Sequence, residues 1–185
     1  SGRTYWISLE VEPVFDPAVP GITGAYRFPE ARAVSGVATA WEGQAQPGEG
    51  GSFEIWFRPA DLEGSHVLWE IGAANKGVAF ALDGDELVYA VRASDDGNVN
   101  VADYQFRQTL SDTEWHQAVL TIDLFSFRIT AYLDGVEVDS QPITPSPSYR
   151  WAGGNPAGLG TNATDDLFPD AGIAGDAVPV ASLTD

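Results

Sequence analysis

The chain has no cysteine and no methionine, and it has only two histidines, His66 and His116. Without cysteine, disulfide bonds and thiolate metal sites are excluded. A zinc site needs three or four ligands, so two separated histidines give it little support. Both histidines lie in alternating, strand-like segments, and we therefore expect structural histidines rather than a general base.

Long hydrophobic runs and helical signals are also missing. No run of about 18 apolar residues occurs, so no transmembrane helix is predicted. Ser1-Gly2-Arg3 lacks the basic and apolar regions of a signal peptide. No glycine-rich loop follows a strand and opens a helix, so nucleotide binding is not indicated. We expect one domain over residues 1–185, as a mature protein or as a domain excised from a longer chain with neighbouring domains.

Basic residues are scarce. The chain has 9 basic and 27 acidic residues, a formal net charge of −18, and Lys76 is its one lysine. Such a surface repels phosphate backbones, which argues against nucleic-acid binding. It also makes anionic polysaccharides poor partners unless a cation bridges them. Acidic surfaces are typical of solubility in salt, but some of these carboxylates can instead bind Ca²⁺.

What the chain does have is alternation with a period of two, clearest over Glu114–Gln141. Apolar side chains occupy every second position from Ala118 to Ile122, in line with His116, and again from Phe127 to Leu133. Asp134-Gly135 then separates two alternating runs, which is a strong signal for a tight hairpin turn. The segment predicts three antiparallel strands that cover a core on one side.

Further strands are predicted from alternation and β-forming residues. A second Asp-Gly hairpin is expected at Asp83-Gly84, a single helical turn at Ala60–Gly64, and a turn at Gly72–Gly77. With about ten to twelve short strands, we predict an all-β fold, a two-sheet antiparallel β-sandwich of the jelly-roll type. The predicted strands outside the central segment are Thr4–Glu12, Gly24–Phe28, Val34–Thr39, Ser52–Arg58, His66–Ile71, Val78–Asp83, Glu86–Arg92, Tyr104–Leu110 and, weakly, Ala177–Leu183.

Several short segments resemble LamG-like jelly rolls of the concanavalin A-like lectin/glucanase superfamily. Gly51–Pro59, GSFEIWFRP, is similar to the family's G-S-F-T-I-E-F-W-F-K-P strand, and Trp115-His116 is similar to its W-H-H-V-A-V-T-Y-D segment. Tyr132–Val136 matches L-Y-V-D-G, and Gly153–Gly158 resembles L-G-G-N-P. Gly24–Phe28 lies where the family has G-A-L-x-F-D-G. The matches follow the family's order over roughly residues 24–160.

The resemblance implies two curved antiparallel sheets, a concave face that bears any ligand site, and often one structural Ca²⁺. One part of the pattern is not matched. Family members close with a strand like F-x-G-x-I-D-E-V-R-I-Y, whereas Asp170–Asp185 has no such segment. Either the chain stops short of this strand or Ala177–Leu183 replaces it.

An enzymatic role has no clear motif, and no catalytic residue is predicted. Retaining glucanases carry two carboxylates about 5 Å apart on one strand face, in an E-x-D-x-x-E motif that this chain lacks. Glu137 and Asp139 share a strand face beside the Asp134-Gly135 hairpin, where a turn and solvent-facing role is the simpler interpretation.

Calcium is the ion with the best support. The candidate ligands Asp96, Asn98 and Asn100 alternate along a polar loop and are followed by Asp103, a spacing that can wrap oxygens around a hard cation. The alternative is an ordinary polar loop closed by its own side chains. A second acidic cluster comprises Asn162, Asp165, Asp166 and Asp170. From the resemblance, an early loop meets the last strands at a Ca²⁺ site, which would pair Asp16 with Asp165 or Asp166.

Carbohydrate binding needs an aromatic platform with polar neighbours. Trp151 is the first candidate, in a Gly/Pro-rich loop with Tyr149, Arg150 and Asn155, and Trp41 is the second. Packing under a loop is the alternative for each. Trp56 and Trp69 are expected in the core between the sheets, and Trp115 in a structural position.

We therefore predict a non-catalytic, extracellular or cell-surface recognition module that binds carbohydrate and is stabilised by Ca²⁺. Two alternatives stay open: a structural or protein-interaction domain that binds a surface protein, and a glycan-active enzyme with an unrecognised site. A cleft with two inward-facing carboxylates favours the enzyme. A solvent-exposed aromatic pair on the concave face favours the sugar binder.

Overall fold

The computed structural model describes residues 13–14, 25–26, 34–36, 50–73, 76–94, 100–144 and 157–159, and side chains within the longer of these ranges. All regular structure in these ranges is β-strand, and none of it is a helix long and apolar enough to cross a bilayer. The strands, in chain order, are β1 Pro13–Val14, β2 Ala25–Tyr26, β3 Val34–Gly36, β4 Gly51–Phe57, β5 Ser65–Ala73, β6 Lys76–Asp83, β7 Glu86–Ser94, β8 Asn100–Thr109, β9 His116–Asp123, β10 Arg128–Leu133, β11 Val136–Pro142 and β12 Ala157–Leu159.

The longer strands form two antiparallel sheets. One has four strands in the order β11-β10-β9-β4, and the other has six in the order β3-β12-β5-β6-β7-β8. Strands β1 and β2 pair separately. The meander predicted from the central segment is β9-β10-β11, and its alternation is visible in the burial of every second residue of β9. The predicted two-sheet antiparallel β-sandwich is confirmed.

The main core lies between the two sheets, because each contributes its apolar face to one cluster. The ring centroids of Phe53 on β4 and Trp69 on β5 are 5.5 Å apart, and those of Trp69 and Phe80 on β6 are 5.9 Å apart. Two tyrosines tie the sheets together by hydrogen bonds. Tyr89 Oη donates to the Tyr132 carbonyl at 2.8 Å, and Tyr104 Oη donates to the Pro142 carbonyl at 2.7 Å. Burial raises the pKa of the Tyr89 hydroxyl, and the charge of Asp134 adds to the effect.

Both Asp-Gly hairpins form, with different turns. Asp134 and Gly135 have φ of 51° and 78°, the pattern of a type I′ turn. In the other hairpin Asp83 pairs with Glu86, so the loop is Gly84-Asp85, and only Gly84 has positive φ, at 62°. That pattern, with glycine first, is typical of type II′.

Two local predictions are wrong. No helical turn forms at Ala60–Gly64, where the Asp61 carboxylate instead accepts the Glu63 amide at 3.0 Å and holds an irregular bend. The predicted turn at Gly72–Gly77 is too long, since Gly72 and Gly77 are already paired in the β5–β6 ladder. The expected strands at Thr4–Glu12 and Ala177–Leu183 lie outside the described residues.

Candidate functional site

The outer face of the six-stranded sheet is closed to solvent at its centre. Its small apolar residues form a second cluster, separate from the main core, in which no member is more than 7% exposed: Val67, Ala79, Ala81, Val88 and Ala90. Glu70 and Arg92 lie on the same face by strand register and are also buried. A sugar therefore cannot reach this part of the sheet as it stands.

One end of that face carries an ion-pair cluster. Arg107 Nη1 on β8 lies 2.8 Å from Asp83 Oδ2 and 2.7 Å from Glu86 Oε2, across the β6–β7 hairpin. The hydrogen bond that Arg107 donates to the Asp83 carboxylate is the largest cause that raises the pKa of Arg107. Ser65 Oγ adds a hydrogen bond to Asp83 Oδ1 at 3.1 Å. Since two carboxylates already neutralise Arg107, this cluster stabilises the hairpin rather than offering a free anion site.

An accessible aromatic group lies on the other sheet. Trp56 is 39% exposed on the outer face of the four-stranded sheet. Its indole Nε1 donates to Glu54 Oε1 at 2.8 Å, and Gln117 Nε2 donates to the same oxygen at 2.6 Å. We call Glu54, Trp56 and Gln117 the Trp56 platform.

Strand register builds this platform. In β4 the alternation points Phe53 and Phe57 inward, which sends Glu54 and Trp56 outward. Trp56 is paired with Gln117 on β9, and Glu54 is paired with Val119, two residues further along β9. Two residues on one face of β4 and one on its neighbour therefore meet at a single carboxylate oxygen.

The Gln117 backbone is anchored by the β10–β11 hairpin. Its amide donates to Asp134 Oδ1 at 2.7 Å, and its carbonyl accepts the Asp134 amide at 2.9 Å. The hairpin that the Asp-Gly motif predicts thus also holds the strand segment on which the platform rests. This double contact restricts the backbone of Gln117 before any ligand arrives.

His116 is a buried structural residue at the neighbouring inward position. Its Nδ1 lies 2.9 Å from Asp134 Oδ2, and its ring packs 5.7 Å from Phe57. Asp112 Oδ1 approaches Nε2 to 3.3 Å, an ion-pair distance without the geometry of a directed hydrogen bond, and Nε2 itself is shielded from solvent. Because neither ring nitrogen faces an open site, His116 is not placed to act as a base on an external substrate.

The carboxylate pair on β11 is exposed and does not face a partner sheet. Glu137 and Asp139 are both exposed. The side chain of Gln141 and the amide of Ser140 donate to Asp139, and these bonds lower the pKa of its carboxyl. Asp139 is therefore engaged in local structure, in agreement with the turn and solvent-facing interpretation.

Most of the site residues predicted from sequence lie outside the described residues. Asn100 and Asp103 are described only by their backbone, which belongs to β8 and pairs with Ser94 and Arg92, so the polar loop is shorter than expected. Within the described ranges no group of three or more histidines and carboxylates is placed to hold a metal. The residues outside are the ligand candidates Trp41, Tyr149, Arg150, Trp151 and Asn155, and the metal candidates Asp16, Asp96, Asn98, Asn162, Asp165, Asp166 and Asp170.

The expected core position of Trp56 is wrong. Trp69 lies in the core as expected, but Trp56 is solvent-facing. The signal was available, because the alternation of β4 groups Trp56 with Ser52 and Glu54 on the polar face. The large apolar ring by itself suggested a core position, whereas the alternation of β4 indicated a solvent-facing one.

Solved structures with the same fold include glycan- and receptor-binding domains. The sialidase CBM40 of Ruminococcus gnavus, bound to α2,3 sialyllactose, is 11% identical with a TM-score of 0.55, and the match covers 83% of this chain and 80% of that one. The binding domain of botulinum neurotoxin serotype G is 12% identical with a TM-score of 0.60, covering 89% of this chain and 41% of the toxin domain. At such identities the likeness shows the fold alone.

Botulinum neurotoxin type C, whose cell entry depends on interaction with two ganglioside molecules, matches with 12% identity and a TM-score of 0.60, over 89% of this chain and 40% of that one. No curated protein sequence matches the chain. A family model for the concanavalin A-like lectin/glucanases superfamily matches residues 34–175, most of the chain. The chain therefore belongs to the concanavalin A-like lectin/glucanase superfamily.

Proposed function

We propose that this domain is a non-catalytic carbohydrate-recognition module and that the Trp56 platform is its contact surface. One observation carries the proposal: an exposed indole whose N–H is held by a carboxylate, with an amide on the same oxygen. Sugar C–H faces pack on aromatic rings, and carboxylate or amide oxygens accept hydrogen bonds from sugar hydroxyls.

Preorganisation supports this role. An exposed side chain loses rotamer freedom when it binds a ligand, which weakens affinity. Here the hydrogen bond to Glu54 already restrains the Trp56 ring, and Gln117 restrains Glu54 in turn. The ring is therefore presented in one orientation, as expected of a stacking platform.

The fold neighbours support carbohydrate recognition in general. Their glycan ligands are sialyllactose in one case and gangliosides in another. The groups that the sequence offers for catalysis support a non-catalytic role, because His116 is enclosed by the protein and Asp139 is tied to local structure. The rim site around Trp151, an extracellular location and a structural Ca²⁺ remain parts of the proposal that rest on sequence.

The test is a glycan-binding comparison of the wild type with Trp56→Ala. The domain is screened on a broad array of neutral and acidic oligosaccharides, and hits are measured by isothermal titration calorimetry. We expect Trp56→Ala to weaken binding at least about tenfold, or about 1.4 kcal/mol, and to keep the wild-type melting temperature within a few degrees because the ring is outside the core.

Two variants complete the design. Phe125→Ala removes a second exposed ring of the described residues, on the β9–β10 turn, and should bind like the wild type. Trp151→Ala tests the rim site predicted from sequence. If Trp151→Ala abolishes binding and Trp56→Ala does not, the contact surface is the rim. If no glycan on the array binds, carbohydrate recognition is wrong for this domain.

A further inference from the structure

We propose that the Trp56 platform selects neutral, hydroxyl-rich glycans and discriminates against glycans that carry carboxylates. The inference rests on the proposed function and names the ligand class of the same surface. Its basis is the balance of hydrogen-bond donors and acceptors that the platform leaves available.

The platform uses two of its N–H donors in its own hydrogen bonds, whereas two of its acceptor oxygens stay available to a ligand. The single N–H of the Trp56 indole and one N–H of the Gln117 amide both point to Glu54 Oε1. Glu54 Oε2 and Gln117 Oε1 make no hydrogen bond to any residue in the described part of the chain. What remains for a ligand is one carboxylate oxygen, one amide oxygen and one amide N–H.

This set matches hydroxyl groups and does not match a carboxylate. A sugar hydroxyl donates as well as accepts, so it can bond to either free oxygen. An ionised carboxylate only accepts, so the one remaining N–H of the Gln117 side chain is its single partner here, whereas against Glu54 Oε2 it would meet a carboxylate oxygen with no proton between them. That second contact leaves an acceptor of the ligand and an acceptor of the site unpaired where stacking partly removes water, and unpaired polar groups are costly there.

Local charge acts in the same direction. Two carboxylates lie at the platform: Glu54 is part of it, and Asp134 accepts a hydrogen bond from the backbone N–H of Gln117. Asp112 and Glu114 are exposed just before β9. The cation nearest in sequence is Arg58, two residues after Trp56, and it already interacts within the protein. An anionic sugar thus approaches carboxylates in a chain whose net charge is −18.

The experiment uses matched ligand pairs. Neutral hexasaccharides of glucose, xylose and mannose, and lactose, are titrated into the domain at 20 mM and 500 mM NaCl, which changes the Debye length about fivefold. Each hexose oligosaccharide is compared with a copy whose primary hydroxyls are oxidised to carboxylates, and lactose is compared with α2,3 sialyllactose. We expect the acidic member to bind at least about tenfold more weakly at low salt, with a smaller gap at high salt.

Variants assign the effect to the platform. Glu54→Gln keeps an oxygen that can accept the indole N–H and removes the charge. The variant should therefore reduce the ratio of the Kd values of the acidic and neutral ligands to about threefold or less. Glu137→Gln, elsewhere on the same sheet face, removes the same charge and should leave the gap unchanged.

The outcomes separate the two proposals. Equal or tighter binding of an acidic ligand that Trp56→Ala abolishes would overturn the selectivity and leave the carbohydrate site standing. A gap that persists in Glu54→Gln would also overturn it, because the whole-chain charge would then account for the preference. If no probe binds in a manner that depends on Trp56, both proposals fail.

Discussion

Three aspartates in the described ranges close tight turns with their own carboxylates. Asp61 accepts the Glu63 amide, Asp112 accepts the Glu114 amide, and Asp123 accepts the Phe125 amide. In each case the side chain bonds to the backbone two residues on, as aspartate commonly does in turns. Part of the large acidic excess therefore builds turns, so an acidic residue at such a position is not in itself a sign of metal binding.

Asp123 gives a pH prediction. Bonds from the Ser126 hydroxyl and from the Phe125 and Ser126 amides lower the pKa of its carboxyl below the value of an unfolded chain. A lowered folded-state pKa means that this contribution is fully present above the unfolded value of about 3.9 and is lost as the pH falls through the folded value. Asp123→Asn should therefore destabilise the domain at pH 6 and progressively less below about pH 4.

Urea unfolding of both proteins between pH 2.5 and 7 measures this difference. Asp85→Asn, at an exposed position in another hairpin, controls for the same change in net charge. A loss of stability in Asp123→Asn that is constant with pH would contradict the assignment, because only the ionised carboxylate is invoked.

At the scale of elements, the β10–β11 hairpin joins the fold to the candidate site. Its two loop residues adopt positive φ, and Asp134 then reaches back to both Gln117 and His116. A change in the turn should therefore be transmitted to β9. At the other end of β9 the backbone just before β4 comes so close that a Cβ at Gly50 would collide with the Ile122 carbonyl oxygen, so this position requires glycine.

Gly135→Ala should destabilise the domain by about 1 kcal/mol. No atom lies within 4 Å of a Cβ built at Gly135, so the cost comes from its φ of 78° and not from a clash. Asparagine tolerates this conformation better than alanine, so Gly135→Asn should lose less stability. The order Gly, Asn, Ala in urea or thermal unfolding tests the claim, and equal stability of the alanine variant would show that the turn relaxes.

At the scale of the whole molecule, a charge of −18 makes stability depend on ions in two ways. Any salt screens the repulsion among carboxylates, whereas a specific Ca²⁺ site responds to calcium alone. The proposed ligands include Asp96 and Asp165, in the two clusters predicted from sequence.

We expect millimolar CaCl₂ to raise the melting temperature above that of an EDTA-treated sample in NaCl of equal ionic strength. A ligand that binds only the native state stabilises it by about 2.7 kcal/mol at a hundred times its Kd. Asp96→Asn and Asp165→Asn should each be tested for loss of this shift. An equal rise with CaCl₂, MgCl₂ and ionic-strength-matched NaCl would instead mean screening, and the calcium proposal would be wrong.

The sequence by itself determined the central strands, both Asp-Gly hairpins and the family, but not β1, β12 or the start of β8, which lie in segments expected to be loops or irregular. These features depend on neighbours along the chain: alternation sets the faces of β9 and β10, and Asp134-Gly135 adopts the positive φ that a type I′ turn requires. The one helical turn expected at Ala60–Gly64 failed because a single side-chain bond from Asp61 competes with such a short helix.

Only the tertiary structure decided which side chains of other strands meet the polar face of β4. Alternation places Trp56 with Ser52 and Glu54 on that face but does not say which strand lies beside it or in which register. The bond between Gln117 and Glu54 joins residues 63 positions apart, and the contact between His116 and Asp134 joins residues 18 apart. Such contacts depend on strand order and register, which bring distant residues together and which no local pattern of side chains encodes.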